Sequence, residues 1–405
     1  MTTTGWEPLL TDLVTTLAND GHLRSKEWVD AVAATPRHLF TPVVIVTSPE
    51  GYRRLSGDDP TDRDEWLSLV YSDESLVTQD KPHVAGHILP SGEPLRVPTS
   101  SSTMPSLMAR MLEALDVRDG MKILEIGTGT GYNAALLSHR IGDRNVVSVD
   151  IDPGLVHHAA KCLADLGHSP TLVAGDGAAG APEHGPYDRI IATAAIHEVP
   201  FAWFQQLKPG GKILANLRGD LAGRTLCLLT KHDGDDEVIG PILPIGGHFM
   251  WLRPDAADPH RPHEHTLTQR RWPVSRTTTR LDPAGIPVDD EAFRFLLQLQ
   301  LHRAHSLHRG QTFDPSTRSE RTAVIATAAD SSRAEAFTQP EPNGTYQVIQ
   351  SGPRRIFDTV EATRRLFDDL GRPTPDEFGV VANDSTQFVW FNDDDNWHRW
   401  PLPLV

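Results

Sequence analysis

One segment constrains the fold of this chain more than any other. Residues 123–137 read ILEIGTGTGYNAALL, in which a short apolar run ends at Gly127 and helical spacing resumes after Gly131. Glycine suits such a turn because the backbone bends tightly and a ligand must approach it closely. The helix that follows offers free N–H groups at its first turn. The segment therefore predicts a strand, a tight ligand-binding turn and a helix.

The same alternation continues toward the C-terminus. Apolar runs alternate with segments of helical spacing through NVVSVDID, GLVHHAAKCLADLG, PTLVAGDG, YDRIIATAA and FQQLKPGGKILANL. Strands that alternate with helices in this way form a parallel sheet covered on both faces. The predicted fold class is therefore α/β, with a doubly wound parallel sheet.

The glycine pattern narrows the choice of ligand. A dinucleotide-binding turn has the pattern G-x-G-x-x-G and would need glycine where this chain has Tyr132. Alternating glycines, with Glu125 two residues before Gly127, instead favour S-adenosyl-L-methionine. That cofactor has no pyrophosphate, and it carries an ammonium group with which Glu125 can pair.

Two further carboxylates follow predicted strands. Asp150 follows the glycine turn at roughly the spacing of a carboxylate that binds ribose hydroxyls. Asp176, in the sequence GDG, ends the third strand, where it can reach the adenine amino group. A sheet that binds no nucleotide is the alternative, but three anchors at the ends of three successive strands argue against it.

Composition and charge exclude several classes of protein. The chain has 405 residues and a formal net charge of −16, so it gains little from contact with nucleic acid or an anionic membrane. No apolar run approaches the roughly 20 residues of a membrane helix, and no basic signal segment is visible. The two cysteines provide no disulfide framework, which favours a cytoplasmic location. The net charge would also repel an acidic peptide unless local arginines and lysines compensate.

The length suggests two or three domains. We expect an N-terminal helical segment over residues 1–70 and a cofactor-binding core over residues 71–240. Residues 241–405 are expected to form a C-terminal α/β extension that helps to bind a peptide substrate.

Within these regions we expect an exposed excursion at 48–66 and a proline-rich loop at 80–98. A linker or long exposed loop is expected within 254–290, followed by a strong helix over 289–305.

A run of hydroxyl side chains precedes one predicted helix. Residues 97–105 read VPTSSSTMP, with four successive hydroxyls from Ser100 to Thr103. Serine and threonine cap helices, and proline is favoured at the first helical position, so capping is the simplest interpretation. The alternative is a functional role for these hydroxyls.

The order of several motifs gives the chain a family resemblance. TPRHLF, VYSDESLVTQ, the hydroxyl run before MPSLMARMLEAL, KILEIGTGTGYNAALLS, VVSVDID, VAGDGAAGAPEHGPYDRIIATAA and QLKPGGKILANL follow one another. Over roughly residues 10–235, this set resembles the protein L-isoaspartate O-methyltransferases. The resemblance implies a Rossmann-like fold, S-adenosyl-L-methionine as methyl donor with S-adenosyl-L-homocysteine as product, and a peptide carboxylate as acceptor. It places cofactor contacts at Glu125, Gly127, Thr128, Gly129, Thr130, Gly131, Asp150, Ile151, Asp176 and Gly177.

The resemblance also assigns the hydroxyl run to the active site. Thr103 takes the position of the family's catalytic serine, while Ser101 and Ser102 stand where threonine and isoleucine are usual. The predicted catalytic residues are therefore Thr103, Ser102 and Ser101, and no metal is expected. A carboxylate is ionised at neutral pH and needs no general base, so alignment is the main task. Hydroxyls can hold it by hydrogen bonds.

Three departures favour one branch of the family. Besides the altered hydroxyl run, an insertion at about 80–97 separates LVTQ from that run, and the chain continues well past the sheet. These features resemble the branch associated with ribosomal peptide natural products such as graspetides, lanthipeptides and lasso peptides. That branch implies methylation of an aspartate in a modified, cyclised precursor peptide, whose ester closes to a succinimide (aspartimide).

Two alternatives stay open: repair of isoaspartyl residues in damaged proteins, and a cofactor-binding scaffold without catalysis. The oligomeric state is not fixed by the sequence, and a monomer is assumed.

Three other stretches carry residues that could have chemical roles. HRPHEH (260–265) favours a solvated loop over a metal site. LHRAHSLHRG (301–310) spaces three histidines along a predicted helix, as a polar face or as a cationic surface for an acidic peptide. The aromatic residues of FVWFNDDDNWHRWPLP (388–403) either dock onto the core or line a peptide groove.

Overall fold

The computed structural model describes residues 5–48, 51–83, 88–89, 92–256, 272–314, 317–393 and 396–402. Within these ranges the α-helices are α1 (Trp6–Asn19), α2 (Lys26–Ala34), α3 (Arg63–Val70), α4 (Pro105–Ala114), α5 (Tyr132–Ile141), α6 (Pro153–Asp165), α7 (Phe201–Gln206), α8 (Glu291–Gln300) and α9 (Ile356–Asp369). None of these described helices is long and apolar enough to cross a membrane.

The N-terminal region combines helices with a small antiparallel sheet. Its strands are β1 (Val43–Ser48), β2 (Gly51–Ser56), β3 (Leu76–Pro82) and β4 (Arg96–Ser102), in the order β2-β1-β3-β4. Helices α1, α2 and α4 contact one another, and their buried faces contribute Leu13, Trp28 and Met111 to one core. Helices α1 and α2 lie within the segment that is expected from the sequence to be helical.

Two sequence expectations in this region are only partly right. The described residues of 48–66 are largely exposed, as expected, but they form regular structure, because β1 pairs with β2 and α3 follows. At the end of the stretch Trp66 is buried, and its Nε1 donates to the Thr41 carbonyl at 2.8 Å. The segment 80–98 is not simply a loop, because Lys81 pairs with Val97 in the β3–β4 ladder. Residues 84–87 and 90–91, between the paired parts, lie outside the described residues.

The hydroxyl run does not cap α4, so the capping interpretation is also wrong. Its serines lie in β4, and Met104 occupies the N-cap position without a side-chain hydrogen bond. The free N–H groups are instead bonded by side chains just before β3. Ser75 Oγ accepts from Met104 N at 3.1 Å, and Asp73 Oδ1 accepts from Ser106 N at 2.8 Å.

The central sheet begins with the predicted parallel strands, which confirms the doubly wound α/β fold. These are β5 (Ile123–Ile126), β6 (Val146–Asp150), β7 (Thr171–Ala174), β8 (Tyr187–Ile196) and β9 (Leu207–Leu217). Their spatial order, β9-β8-β5-β6-β7, brings β5 to the middle. Ile123, Leu124 and Ile126 are fully buried, as expected for strands covered on both faces. Antiparallel strands β10 (Thr225–Lys231) and β11 (Glu237–Pro241) extend the sheet beyond β9.

A second antiparallel sheet follows in the C-terminal region. It contains β12 (Val274–Thr279), β13 (Ala304–Asp314), β14 (Ser319–Ala328), β15 (Arg333–Phe337) and β16 (Tyr346–Ser351), in the order β12-β16-β15-β14-β13. Helices α8 and α9 pack together, with the rings of Phe293 and Phe367 5.6 Å apart.

The helix expected over 289–305 ends earlier, at Gln300. Arg303 adopts a left-handed backbone conformation with φ of 57°, which interrupts the helix, and His305 and His308 lie in β13. Pairing of Leu307 with Ala326 across β14 fixes this strand. The predicted helical face of three histidines is therefore wrong.

The last three strands continue the central sheet. They are β17 (Gly379–Asn383), β18 (Gln387–Asn392) and β19 (Trp397–Pro401), and β17 pairs antiparallel with β11. In the C-terminal aromatic stretch, Phe391 and Trp400 pack against Phe378 at ring separations of 5.0 and 5.9 Å. Trp397 stays 60% exposed, so only part of this stretch docks onto the core.

Candidate active site

A cavity of about 300 Å³ lies at the carboxyl ends of β5, β6 and β8. The glycine turn after β5 forms one wall, and its three glycines have φ values of 95°, 53° and 89°. A Cβ atom on Gly127 would lie 2.7 Å from Thr193 Oγ1, which itself donates to the Gly127 carbonyl at 2.7 Å. The backbone conformation and the close contact both require glycine here.

Most of the predicted cofactor residues line this cavity: Glu125, Gly127, Thr128, Gly129, Thr130, Asp150, Ile151 and Gly177. Two others do not line it. Gly131 packs on α6, where an added Cβ would lie 2.8 Å from the Ala159 Cβ. Asp176 is exposed, and its carboxylate accepts from Ala178 N at 2.9 Å.

Glu125 is fully buried at the base of the cavity and is held by a polar network. Its carboxylate accepts from Asn133 Nδ2 at 2.7 Å and from Ser148 Oγ at 2.5 Å. Ser148 Oγ is also 2.6 Å from Thr128 Oγ1, so the network reaches the glycine turn. Burial raises the pKa of Glu125 to about 7, although both hydrogen bonds oppose that shift. Glu125 therefore titrates near neutral pH, and a cation bound beside its carboxyl group would favour the ionised form.

Asp150 fixes the other side of the turn. Its Oδ2 accepts from Gly129 N at 2.8 Å and its Oδ1 accepts from Asp152 N at 3.0 Å. Burial raises the pKa of this carboxyl above its ordinary value, with the two backbone donors opposing the shift. The carboxylate is thus held at the end of β6, facing the cavity.

Strand β4 crosses the cavity opposite the glycine turn. A Cβ atom on Gly129 would lie 3.7 Å from Ser100 Oγ, and Ser101, Ser102 and Thr103 all line the cavity. The structure therefore brings the three predicted catalytic residues and the predicted cofactor turn to one space.

The hydroxyls of this strand differ in their partners. Ser102 Oγ is buried and accepts from Arg37 Nε at 3.1 Å, and Ser100 Oγ accepts from Thr78 Oγ1 at 3.2 Å. Among the described residues, the hydroxyls of Ser101 and Thr103 make no hydrogen bond, and both are half-buried. These two side chains retain their donors for a ligand.

Arg37 is a residue whose role sequence reasoning missed. It is fully buried, and its guanidinium donates to the carbonyls of Ser102 and Thr103 at 3.2 and 3.0 Å. It also donates to the carbonyl of Val70, the last residue of α3, and to those of Ser72 and Glu74 before β3. Burial lowers its pKa to about 10, so it remains charged at neutral pH. In the sequence, Arg37 belongs to the motif TPRHLF, which contributed only to the family resemblance. No local pattern shows where the side chain of Arg37 points.

A second unforeseen wall comes from residues 248–253, which line the cavity from the far side. This segment runs beside the end of β8. Ala195 N donates to the Met250 carbonyl at 2.7 Å, and Leu252 N donates to the Ala195 carbonyl at 2.8 Å. The guanidinium of Arg218 lies 5.0 Å from the ring centroid of Trp251. In the sequence, the segment 248–253 shows only a short apolar run, FMWL, which follows GGH and does not indicate where the segment packs.

These residues fit S-adenosyl-L-methionine. The glycine turn leaves room for close approach, Glu125 and Asp150 place two carboxylates in the cavity, and Val149, Leu155 and Leu252 provide apolar walls. Within the described ranges, no group of histidine, cysteine and acidic side chains is arranged to hold a metal ion. The segment HRPHEH lies outside them.

Comparisons with known proteins point to one family. A family model described as Protein-L-isoaspartate(D-aspartate) O-methyltransferase (PCMT) matches residues 75–241. A protein-L-isoaspartate O-methyltransferase of Hyperthermus butylicus is 30% identical over 259 residues, which are 60% of this chain and 91% of that protein. One of Thermotoga maritima is 40% identical over 167 residues, 41% of this chain and 48% of that protein, so the match spans about half of its length.

A solved structure named protein-L-isoaspartate O-methyltransferase shares the fold. It has a TM-score of 0.52 and 22% identity, and the match covers 95% of this chain and 99% of that one. The C-terminal region therefore has a counterpart in fold in that structure.

Fold and site together define a methyltransferase that uses S-adenosyl-L-methionine. The chain belongs to the protein-L-isoaspartate O-methyltransferase family, and it is a protein carboxyl O-methyltransferase.

Proposed function

We propose that this enzyme methylates the side-chain carboxylate of an aspartate in a modified, cyclised ribosomal precursor peptide. The position of Thr103 carries the proposal that a carboxylate is the acceptor. Thr103 lines the cavity together with the glycine turn, and its hydroxyl has no hydrogen-bond partner among the described residues. Ser101 and Ser102 in place of threonine and isoleucine, and the insertion between β3 and β4, support the peptide-specific branch.

The main contribution of the protein to methyl transfer is to align the acceptor carboxylate with the methyl group. Bound in the cavity, the cofactor supplies an electrophilic methyl group on sulfonium sulfur. The acceptor carboxylate is already ionised at neutral pH, so no side chain has to remove a proton. The Thr103 hydroxyl can donate to one carboxylate oxygen, with Ser101 as a second donor, and leave the other oxygen to attack. Glu125 and Asp150 would hold the amino-acid end and the ribose of the cofactor, and Asp176 with Gly177 would lie toward the adenine.

The methyl ester then cyclises to a succinimide without a catalytic contribution from the enzyme. The backbone nitrogen after the aspartate attacks the ester carbonyl, methanol leaves, and a succinimide forms. A small residue after the aspartate favours this closure. We expect the isolated ester to close in buffer alone, and an ester that persists without enzyme would contradict this step.

Repair of isoaspartyl residues is the second candidate. The names of the relatives from Hyperthermus butylicus and Thermotoga maritima favour it. The counterpart of the C-terminal region in a solved structure of the same name also removes one reason for excluding it.

A parallel assay separates the two candidates. The enzyme and S-adenosyl-L-methionine are incubated with a cyclised aspartate-containing precursor, its linear form, and an isoaspartyl peptide of similar length. The proposal predicts the highest kcat/KM for the cyclised precursor, with a mass gain of one methyl group followed by loss of methanol. Efficient turnover of the isoaspartyl peptide without turnover of the cyclised precursor would establish repair instead.

Two further assignments belong to this proposal. We assign residues 1–70 to an N-terminal segment of helices with the β1–β2 hairpin, 71–240 to the cofactor core and 241–405 to a peptide-binding extension. Residues 248–253 of this extension also line the cofactor cavity, and β17–β19 continue the central sheet. A cytoplasmic location is consistent with Cys162 and Cys227, which are free and buried.

A further inference from the structure

A second cavity of about 480 Å³ adjoins the reaction cavity. The two cavities share Arg218 and His248 in their linings, so these residues stand between them. The loop that follows β9, from Gly219 to Arg224, forms one side of the second cavity, and the first turn of α8 forms the other. The second cavity is therefore the neighbour of the reaction cavity at Arg218 and His248.

The charged side chains of the second cavity are mostly cationic. Arg218, Arg224, Arg294 and His248 line it, against the carboxylates of Asp220 and Glu291. Three guanidinium groups therefore face two carboxylates, in a chain whose formal net charge is −16. Such a local concentration of positive charge attracts anions that the protein as a whole repels.

Both carboxylates are already engaged by this chain. Glu291 Oε1 accepts from Gly223 N at 3.0 Å and from Arg224 N at 3.2 Å, which fixes the loop on α8. Asp220 Oδ2 lies 4.0 Å from His305 Nδ1.

Two of the arginines, Arg294 and Arg224, have no carboxylate partner among the described residues. Arg294 donates to the main-chain carbonyls of Leu221 and Val288 at 2.6 and 3.3 Å. Within the described ranges it has no ion pair. The exposed Arg224 side chain has neither an ion pair nor a hydrogen bond there. These two guanidinium groups remain available to an anion.

We propose that the second cavity binds acidic side chains of the peptide substrate, adjacent to the carboxylate that is methylated. A guanidinium group pairs with a carboxylate through parallel hydrogen bonds. The exposed side chain of Arg224 lines the cavity and can reorient to pair with a carboxylate of the peptide. The inference rests on the proposed function for the identity of the peptide. It replaces the predicted cationic histidine helix with a cluster of arginines beside the active site.

The test uses two synthetic peptides that differ only in charge. One carries a single aspartate flanked by glutamates, and the other carries glutamines at the flanking positions. In each peptide the aspartate is replaced by asparagine for binding measurements, so that affinity is measured without turnover. Dissociation constants are determined by calorimetry with the full chain saturated with S-adenosyl-L-homocysteine.

Tighter binding of the glutamate peptide than of the glutamine peptide is expected, with a preference that shrinks as salt is added. The variant Arg224→Gln should reduce this preference by about two- to five-fold, the range for exposed charge pairs. Arg224→Lys should restore part of it. The matched control is Arg276→Gln, which removes an exposed arginine of β12, and it should leave the preference unchanged.

Equal affinity of the wild-type protein for the two peptides would overturn the inference. An equal loss of preference in the Arg224 and Arg276 variants would overturn it too, since net charge rather than this cavity would then be responsible. Failure of the proposed function looks different: no methyl transfer to the cyclised precursor, with the charge preference of the two synthetic peptides retained in binding.

Discussion

Arg37 Nη2 donates to the main-chain carbonyl of Thr103 at 3.0 Å, although the two residues are 66 positions apart in the sequence. The same guanidinium bonds the Ser102 hydroxyl and carbonyl, and it links them to the segment before β3. The main chain of the candidate catalytic segment is therefore bonded to a buried cation, and Thr103 lines the cavity. Arg37 acts as a positioning residue.

Replacement of Arg37 by lysine should lower both stability and turnover. Lysine keeps the charge but cannot reach this set of carbonyls, so the free energy of unfolding should fall by about 2–4 kcal/mol. Displacement of Thr103 should lower kcat by about ten- to a hundred-fold in the protein that remains folded. Denaturant unfolding and methyl transfer at a temperature well below the transition measure the two effects.

Arg189 provides a matched control for that variant. It is also buried, and it donates to the carbonyls of Leu115 and Asp116 at 2.7 and 2.9 Å, away from β4. Arg189→Lys should cost comparable stability and leave kcat per folded molecule near the wild-type value. Similar kcat losses in both variants would show that Arg37 has no special relation to Thr103.

Asp150→Asn should weaken cofactor binding. The substitution removes a charged acceptor for Gly129 N and, in the proposed site, for the ribose hydroxyls. Hydrogen bonds to charged groups contribute about 1.5–3 kcal/mol, so the Kd for S-adenosyl-L-homocysteine should rise by about ten- to a hundred-fold. Calorimetric titration measures it. Asp176→Asn should have a smaller effect, because Asp176 is exposed and does not line the cavity. A larger rise in Kd for Asp176→Asn than for Asp150→Asn would mean that Asp176, rather than Asp150, contributes more to cofactor binding.

Glu125 should make the stability of the cofactor-free protein fall as pH rises. Burial raises its pKa to about 7 in the folded state, against an ordinary value of 4.5. Between these values the folded protein holds a proton that the unfolded chain has released. The free energy of unfolding therefore decreases from about pH 4.5 to about pH 7, by about 3 kcal/mol at most.

The variant Glu125→Gln isolates this effect. It removes the titrating group and keeps the shape, so the difference in unfolding free energy between variant and wild type should change across that pH range. The pKa of Asp150 is also raised, and its contribution remains in both proteins. A difference that does not vary between about pH 5 and pH 8 would mean that Glu125 titrates normally.

The sequence was most informative where structure is set locally. The runs around Leu124 and Val147 are apolar because parallel strands are buried on both faces, and Gly127 marks a turn that no other residue fits. These signals predicted the central strands, the helices between them and the glycine-rich side of the cavity.

Long-range pairing accounts for what the sequence did not predict. Nothing near Gly240 indicates that it pairs with Val380, and nothing near Trp251 indicates that it lies beside Ala195. The hydroxyl run looked like a helix cap because Pro105 does begin a helix. Its serines instead lie in β4, because this strand pairs with β3. The sequence does not show this long-range pairing.

The central claim is that the Thr103 hydroxyl holds the acceptor carboxylate, and single-turnover methyl transfer by Thr103→Val tests it most directly. Valine keeps the shape and removes the donor. The rate should fall by about ten- to a hundred-fold, with cofactor affinity unchanged, and Ser101→Ala should lose less. Ser102→Ala should mainly lose stability, because its hydroxyl bonds Arg37. A Thr103→Val enzyme that transfers methyl groups at the wild-type rate would contradict the account.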